Sequence, residues 1–196
     1  MISLELRNSL RSRKRSAVVV TGMVWALCLP MEARAQGGFN GPGRYEITNL
    51  RSGKVLDLDR NDQTSVIQLS SRGTDNQVWE IRAAGGGFYS LRNVKNGNAL
   101  EPGGTGNNTR VRATARFDGR PSQQWRIDAG KDGNALIVSR LGKTLDVPDA
   151  VTDEGSPVQI YDTNGELNQQ FKFRRVAGSR GAGLSGKSGL NYLSRD

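Results

Sequence analysis

Carboxylates are the main side chains left for acid–base chemistry in this sequence. There is no histidine, and the one cysteine, Cys28, falls inside an apolar N-terminal run. That excludes Ser-His-Asp systems and most zinc sites, which need imidazole or thiolate groups. A pair of carboxylates could still hydrolyse a glycosidic bond. Asp146 with Asp149, Asp153 or Glu154 is the nearest such grouping. These four share one turn-rich stretch, without the apolar surroundings that raise a carboxyl pKa. No catalytic residue and no cofactor is expected. The stretch "DLDRND", residues 57–62, is acid-rich but lacks the glycine and distal glutamate of an EF-hand loop. It is expected to be a solvated turn, with no metal bound.

The other residues with chemical potential are amides set beside aromatics. "NQVWEI" begins at Asn76, "SQQWRI" at Ser122 and "NQQFKF" at Asn168. The glutamines Gln77, Gln123 and Gln169 are spaced by 46 and 46 residues. Trp79, Trp125 and Phe171 follow in step, with Ile81, Ile127 and Phe173 two positions later. Alternation of this kind marks strands with one buried face. Each aromatic is expected in the core. Each glutamine is expected to hydrogen-bond nearby backbone.

Further phrases repeat upstream. "SGKVLDL", "NGNALEP" and "LGKTLDV" each supply a glycine, a leucine and an acid (Asp57, Glu101, Asp146). Middle strands follow at "VIQL", "VRAT" and "VQIY", separated by turn formers such as "GGTGNN" and "DEGS". The pattern predicts three copies of an all-strand unit of about 46 residues, with nothing longer than a turn as helix. One unit cannot bury its apolar face alone. Three around an axis can close a barrel and cap it with hairpins, leaving few free edges.

The ends read differently. Residues 1–35 carry basic residues, then the apolar "AVVVTGMVWALCLP", then Ala33 and Ala35 at small-residue positions. This is the pattern of a secretory signal peptide cut between Ala35 and Gln36, with secreted or periplasmic delivery. No stable membrane insertion is expected after cleavage. Residues 36–42 are expected to be a flexible leader, 43–176 one domain, and 177–196 a Gly/Ser-rich disordered tail. Cleavage would leave 22 Lys/Arg against 17 Asp/Glu, a net charge of +5 instead of +9. Scattered charge of that size is no nucleic-acid stripe, so no nucleic-acid partner is expected.

The three Gln-x-aromatic phrases in register, with the upstream glycine and acid, make residues 43–176 resemble the ricin B-type lectin family. The resemblance implies a β-trefoil and a carbohydrate or glycoconjugate partner, of galactose-like or related type. It also implies a shallow sugar pocket in a repeat. There an acid accepts from two sugar hydroxyls, an aromatic on the middle strand stacks on the ring, an asparagine donates to a hydroxyl, and the glutamine steadies the acid. Repeat three matches at every part: Asp146, Tyr161, Asn168 and Gln169, with Gln159 on the same strand face as Tyr161. Repeat one offers a weaker set, Asp57, Gln68, Asn76 and Gln77, with Ser70 at the aromatic position when "IQLS" is aligned to "VQIY". Repeat two has Glu101, Thr114 and Ser122 and is expected to be structural. The alternative is a non-catalytic trefoil that binds or inhibits a protein, its sugar sites decayed.

Overall fold

The computed structural model describes residues 37–177; the expected signal peptide and nearly all of the expected tail lie outside them. Twelve strands make up the domain. Repeat one contributes β1 (Gly43–Asn49), β2 (Val55–Leu58), β3 (Val66–Leu69) and β4 (Trp79–Gly85). Repeat two contributes β5 (Phe88–Asn93), β6 (Ala99–Pro102), β7 (Thr109–Ala115) and β8 (Trp125–Ala129). Repeat three contributes β9 (Ala135–Ser139), β10 (Thr144–Asp146), β11 (Gln159–Tyr161) and β12 (Phe171–Arg175). Among the described residues the only helical segments are single 3-10 turns, and no helix is long and apolar enough to cross a membrane.

The first and last strands of each repeat close a barrel. Around the ring β1 pairs with β4, β4 with β5, β5 with β8, β8 with β9, β9 with β12, and β12 with β1, all antiparallel. The middle strands form three hairpins, β2–β3, β6–β7 and β10–β11. These meet at one end around a pseudo-threefold axis. There Val158 N donates to Val66 O, Val111 N to Val158 O, and Ala113 N to Thr64 O. The result is a β-trefoil.

Repeat-matched side chains fill the interior. Trp79, Trp125 and Phe171 are fully buried, as are Leu56, Leu100 and Leu145. A buried indole N–H needs an acceptor. Trp79 Nε1 donates to Leu56 O (3.1 Å) and Trp125 Nε1 to Leu100 O (2.8 Å). Phe171 fills the third position with no donor to satisfy. Each Gln side chain closes a loop. Gln77 takes Arg72 N and gives to Ser70 O; Gln123 takes Asp118 N and gives to Arg116 O.

The segment before β1 differs from expectation. Residues 37–42 are packed, not free. Gly37 N donates to Gly133 O and Phe173 N donates to Gly37 O. A Cβ on Gly37, at φ +58°, would sit 2.5 Å from Phe171 O, so only glycine permits this approach. Phe39 then enters an aromatic cluster, with ring centroids 5.5 Å from Tyr45, 5.1 Å from Tyr89 and 5.4 Å from Phe173. It covers the barrel end opposite the hairpin cap. The glycines that suggested a loose leader are there to let backbone touch backbone.

Candidate functional site

In repeat three, β10 and β11 lie in register with Asp146 opposite Gln159 and Thr144 opposite Tyr161. Directly opposed residues share a sheet face, so Asp146, Gln159 and Tyr161 stand on one surface. The 3-10 turn Leu167–Gln169 brings two amides to the same place. Gln159 Nε2 donates to Asp146 Oδ1 at 2.8 Å, Asn168 Nδ2 to Oδ2 at 2.8 Å, and Gln169 Nε2 to Oδ2 at 3.1 Å.

Two of the donors are themselves fixed. Gln169 Oε1 accepts from Asn164 N and Gly165 N, which sets the direction of its amide. Asn168 Nδ2 also donates to Val147 O. Asp146 is almost entirely buried, unlike the open turn expected for it, because it lies on β10 under the Gln159, Asn168 and Gln169 side chains. Burial pushes its carboxyl above the usual range, the bonds from Gln159 and Gln169 pull it back, and the charge of Asp149 adds to the rise. A carboxylate offers about four lone-pair sites, so three amide bonds leave roughly one for an outside hydroxyl. Tyr161 is half-buried beside this group. All five residues expected in repeat three therefore come together.

A polar rim next to Tyr161 was not foreseen. Asp162 accepts from Lys143 Nζ (2.5 Å) and from Asn107 Nδ2 (2.8 Å), the asparagine being contributed by repeat two. The signal available was only that Asp162 directly follows Tyr161; the partner from another repeat had none.

Repeat one is arranged otherwise. In β2–β3, Asp57 is opposite Ile67, Leu56 opposite Gln68, and Val55 opposite Leu69. Ile67 thus holds the place of Gln159, and Leu69, not Ser70, holds the place of Tyr161. Gln68 belongs to the other face. It accepts from Ser52 Oγ and donates to Val151 O and Asp153 O of repeat three. Asn76 Nδ2 goes to Leu58 O, and Gln77 to its own loop. Of the four, only the Gln77 amide stays near Asp57; Gln68 and Asn76 are engaged elsewhere. Asp57 is fully buried, and neither carboxylate oxygen has a hydrogen-bond partner among the described residues. Burial pushes its carboxyl up, against the opposing influence of the Gln77 amide and of Arg60 and Arg72.

Repeat two is closed by its own side chains. Glu101 accepts from Thr114 Oγ1 (3.1 Å) and Ser122 Oγ (3.5 Å), and Arg120 lies 3.7 Å away. Among the described residues no group of three acidic side chains is placed to hold a metal ion.

Comparison with known proteins agrees with this architecture. A family model described as "Ricin-type beta-trefoil lectin domain-like" matches residues 25–114 and 121–186. No curated protein matches the sequence. Among solved structures, the designed threefold-symmetric protein ThreeFoil is 33% identical, with TM-score 0.63, over 68% of this chain and 99% of that one. The ricin B-like lectin of Macrolepiota procera, solved with lactose, is 27% identical, with TM-score 0.63, over 70% and 98%. An exo-β-1,3-galactanase from Clostridium thermocellum is 30% identical, with TM-score 0.64, over 68% of this chain but only 30% of the enzyme. The repeats, the closed barrel and the family match together show that the chain belongs to the ricin-type β-trefoil lectin domain family.

Proposed function

We propose that this is an exported, non-catalytic lectin that takes a galactose-like sugar in the pocket of repeat three. The observation that carries the reading is the triply supported Asp146 carboxylate beside Tyr161. An ionised acceptor held by fixed amides suits a sugar hydroxyl, because charge-assisted bonds are the stronger kind. A flat apolar ring beside it suits the C–H face of a pyranose. Repeats one and two lack that pairing. The lactose complex of the Macrolepiota relative supports the sugar class.

The three amide donors engage the Asp146 carboxylate against the burial that raises its carboxyl, and they leave an acceptor position for a hydroxyl. One shallow pocket corresponds to millimolar affinity, about −4 kcal/mol, so useful attachment needs a dense glycan or several copies. Titration of the protein with galactose, lactose and N-acetylgalactosamine tests this by amide NMR. Shifts centred on Tyr161 and Asn168, lost in Asp146→Ala, are expected. Unmoved signals at saturating sugar remove the proposal.

A further inference from the structure

The three repeats carry very different charge. Residues 43–85 hold six Lys/Arg and six Asp/Glu, residues 135–176 five and six, but residues 88–129 seven and three. The excess positive charge of the described domain is therefore concentrated in repeat two.

Its most ordered part lies on β7. Along Thr109–Ala115 burial alternates, with Val111 and Ala113 inward and Arg110, Arg112 and Thr114 exposed. Arg116 continues the outward series just beyond the strand. Same-face neighbours on a strand are about 6.6 Å apart, so Arg110 to Arg116 spans about 20 Å. The Arg116 guanidinium lies against Gly97, in the turn that also carries exposed Lys95.

Acidic side chains nearby do little to cancel the strip. Arg120 and Arg126 are matched with Asp118 and Asp128. No ion pair engages the side chains of Arg110, Arg112 or Arg116 among the described residues. Glu101, opposite Arg112, is occupied by Thr114, Ser122 and Arg120. Asp59 shares a small cleft of about 150 Å³ with Arg110 and Arg112, and Asp62 is taken up by Thr64 and Ser65. At the other end Arg110 stands opposite Gln159, the residue that supports Asp146. The strip starts beside the repeat-three cluster and runs away from it.

We infer that β7 of repeat two is a binding strip for an acidic polysaccharide, recognised through carboxylate or sulfate groups along an extended chain. A row of free guanidiniums suits planar oxyanions, which arginine can bind through two parallel hydrogen bonds. Its length suits a polymer better than one sugar. No aromatic interleaves the arginines to stack on bases, as single-stranded nucleic acid would use, and the fold belongs to a carbohydrate-binding family. The strip stands on charge and strand geometry and does not depend on which neutral sugar repeat three accepts.

The test is binding of the purified protein to polygalacturonate and to dextran sulfate at low salt, with neutral dextran and poly-dT alongside. Binding to one or both acidic polysaccharides, weakened at least tenfold by the combined Arg110→Gln, Arg112→Gln and Arg116→Gln variant, is expected. The polymer that binds identifies carboxylate or sulfate as the preferred group. A charge-matched variant in repeat one, Arg51→Gln with Arg60→Gln and Arg72→Gln, should weaken it less than threefold. Tyr161→Ala should leave polymer binding unchanged while abolishing any galactose response, which separates this strip from the pocket. Equal losses in the two triple variants would reduce the effect to net charge and overturn the inference. So would poly-dT binding as tightly as the polysaccharides, or no binding to either acidic polymer.

Discussion

Asp57 should make this protein less stable at neutral pH than it would be without the charge. Both carboxylate oxygens are buried without a hydrogen-bond partner, and burial raises the carboxyl above its ordinary value of 3.8. The sign follows from linkage. A group whose folded pKa exceeds its unfolded value favours folding when protonated, and that advantage fades as pH rises from the unfolded to the folded value. Above both, the charge is a fixed cost. Leaving a buried polar group unsatisfied costs about 1–3 kcal/mol, more for a charged one. Asp57→Asn keeps the shape and removes the ion. We expect it to gain about 1 kcal/mol at pH 7, the low end, because an unpaired amide remains. For a domain of this size that is roughly 4 °C in Tm. Urea unfolding at pH 7 and at a series of acid pH values measures it. The parent should gain more stability on acidification than the variant. Equal or lower stability of Asp57→Asn at pH 7, with an unchanged acid profile, would refute the reasoning and show that Asp57 has a partner in solution.

Other expectations follow from the same structure. Asp146→Asn should lose about 1–3 kcal/mol and sugar binding together, because the bonds from Asn168, Gln169 and Gln159 lose their charged acceptor; thermal melts read the first effect and NMR titration the second. Sugar affinity should fall on acidification earlier than for an ordinary aspartate, since the accepting carboxylate of Asp146 is lost as pH drops through its raised pKa; calorimetric titration with lactose between pH 7 and pH 4 checks this. Phe39→Ala should cost about 3 kcal/mol by opening the aromatic cluster at the barrel end, measured as a lower urea midpoint, while leaving lactose binding at 25 °C in place.

Four features show how much of this could be seen in the amino acids. The barrel was legible because Gln77, Gln123 and Gln169 repeat at one spacing and the residues after them alternate. That periodicity reports burial directly. The repeat-three cluster was legible because its parts lie at matching chain offsets and the structure brings them together. The hairpin of repeat one was not, because its loop is shorter. Asp57 to Leu69 is 12 residues, while Asp146 to Tyr161 is 15. Matching glutamine to glutamine slipped the strand by one residue, and in a strand such a slip changes the face of every side chain. Gln68 therefore looked like Gln159 in sequence and points elsewhere in space. The packed segment before β1 was hidden for another reason. Composition marks glycine as flexible, but close approach of Gly37 to Phe171 depends on a barrel made from distant strands.

The comparison of the three hairpins also explains why they can differ so much in chemistry. Inward positions are tied together by closure. Val66, Val111 and Val158 meet around one axis, and replacing any of them disturbs the other two repeats. Outward positions answer only to local neighbours. At the site of Gln159 the other repeats have Ile67 and Arg112, and at the site of Tyr161 they have Leu69 and, across a register shift, Ala115. Each change alters what the adjacent acid can do without touching the core. With Gln159 and Tyr161, Asp146 becomes a supported acceptor beside a flat ring. With Ile67 and Leu69, Asp57 is an unpaired buried carboxylate. With Arg112 opposite it and Thr114 donating to it, Glu101 is neutralised and the surface beside it turns cationic. A frame repeated three times for packing can in this way carry a supported acceptor beside an aromatic ring, an electrostatic cost and an arginine strip on equivalent strands.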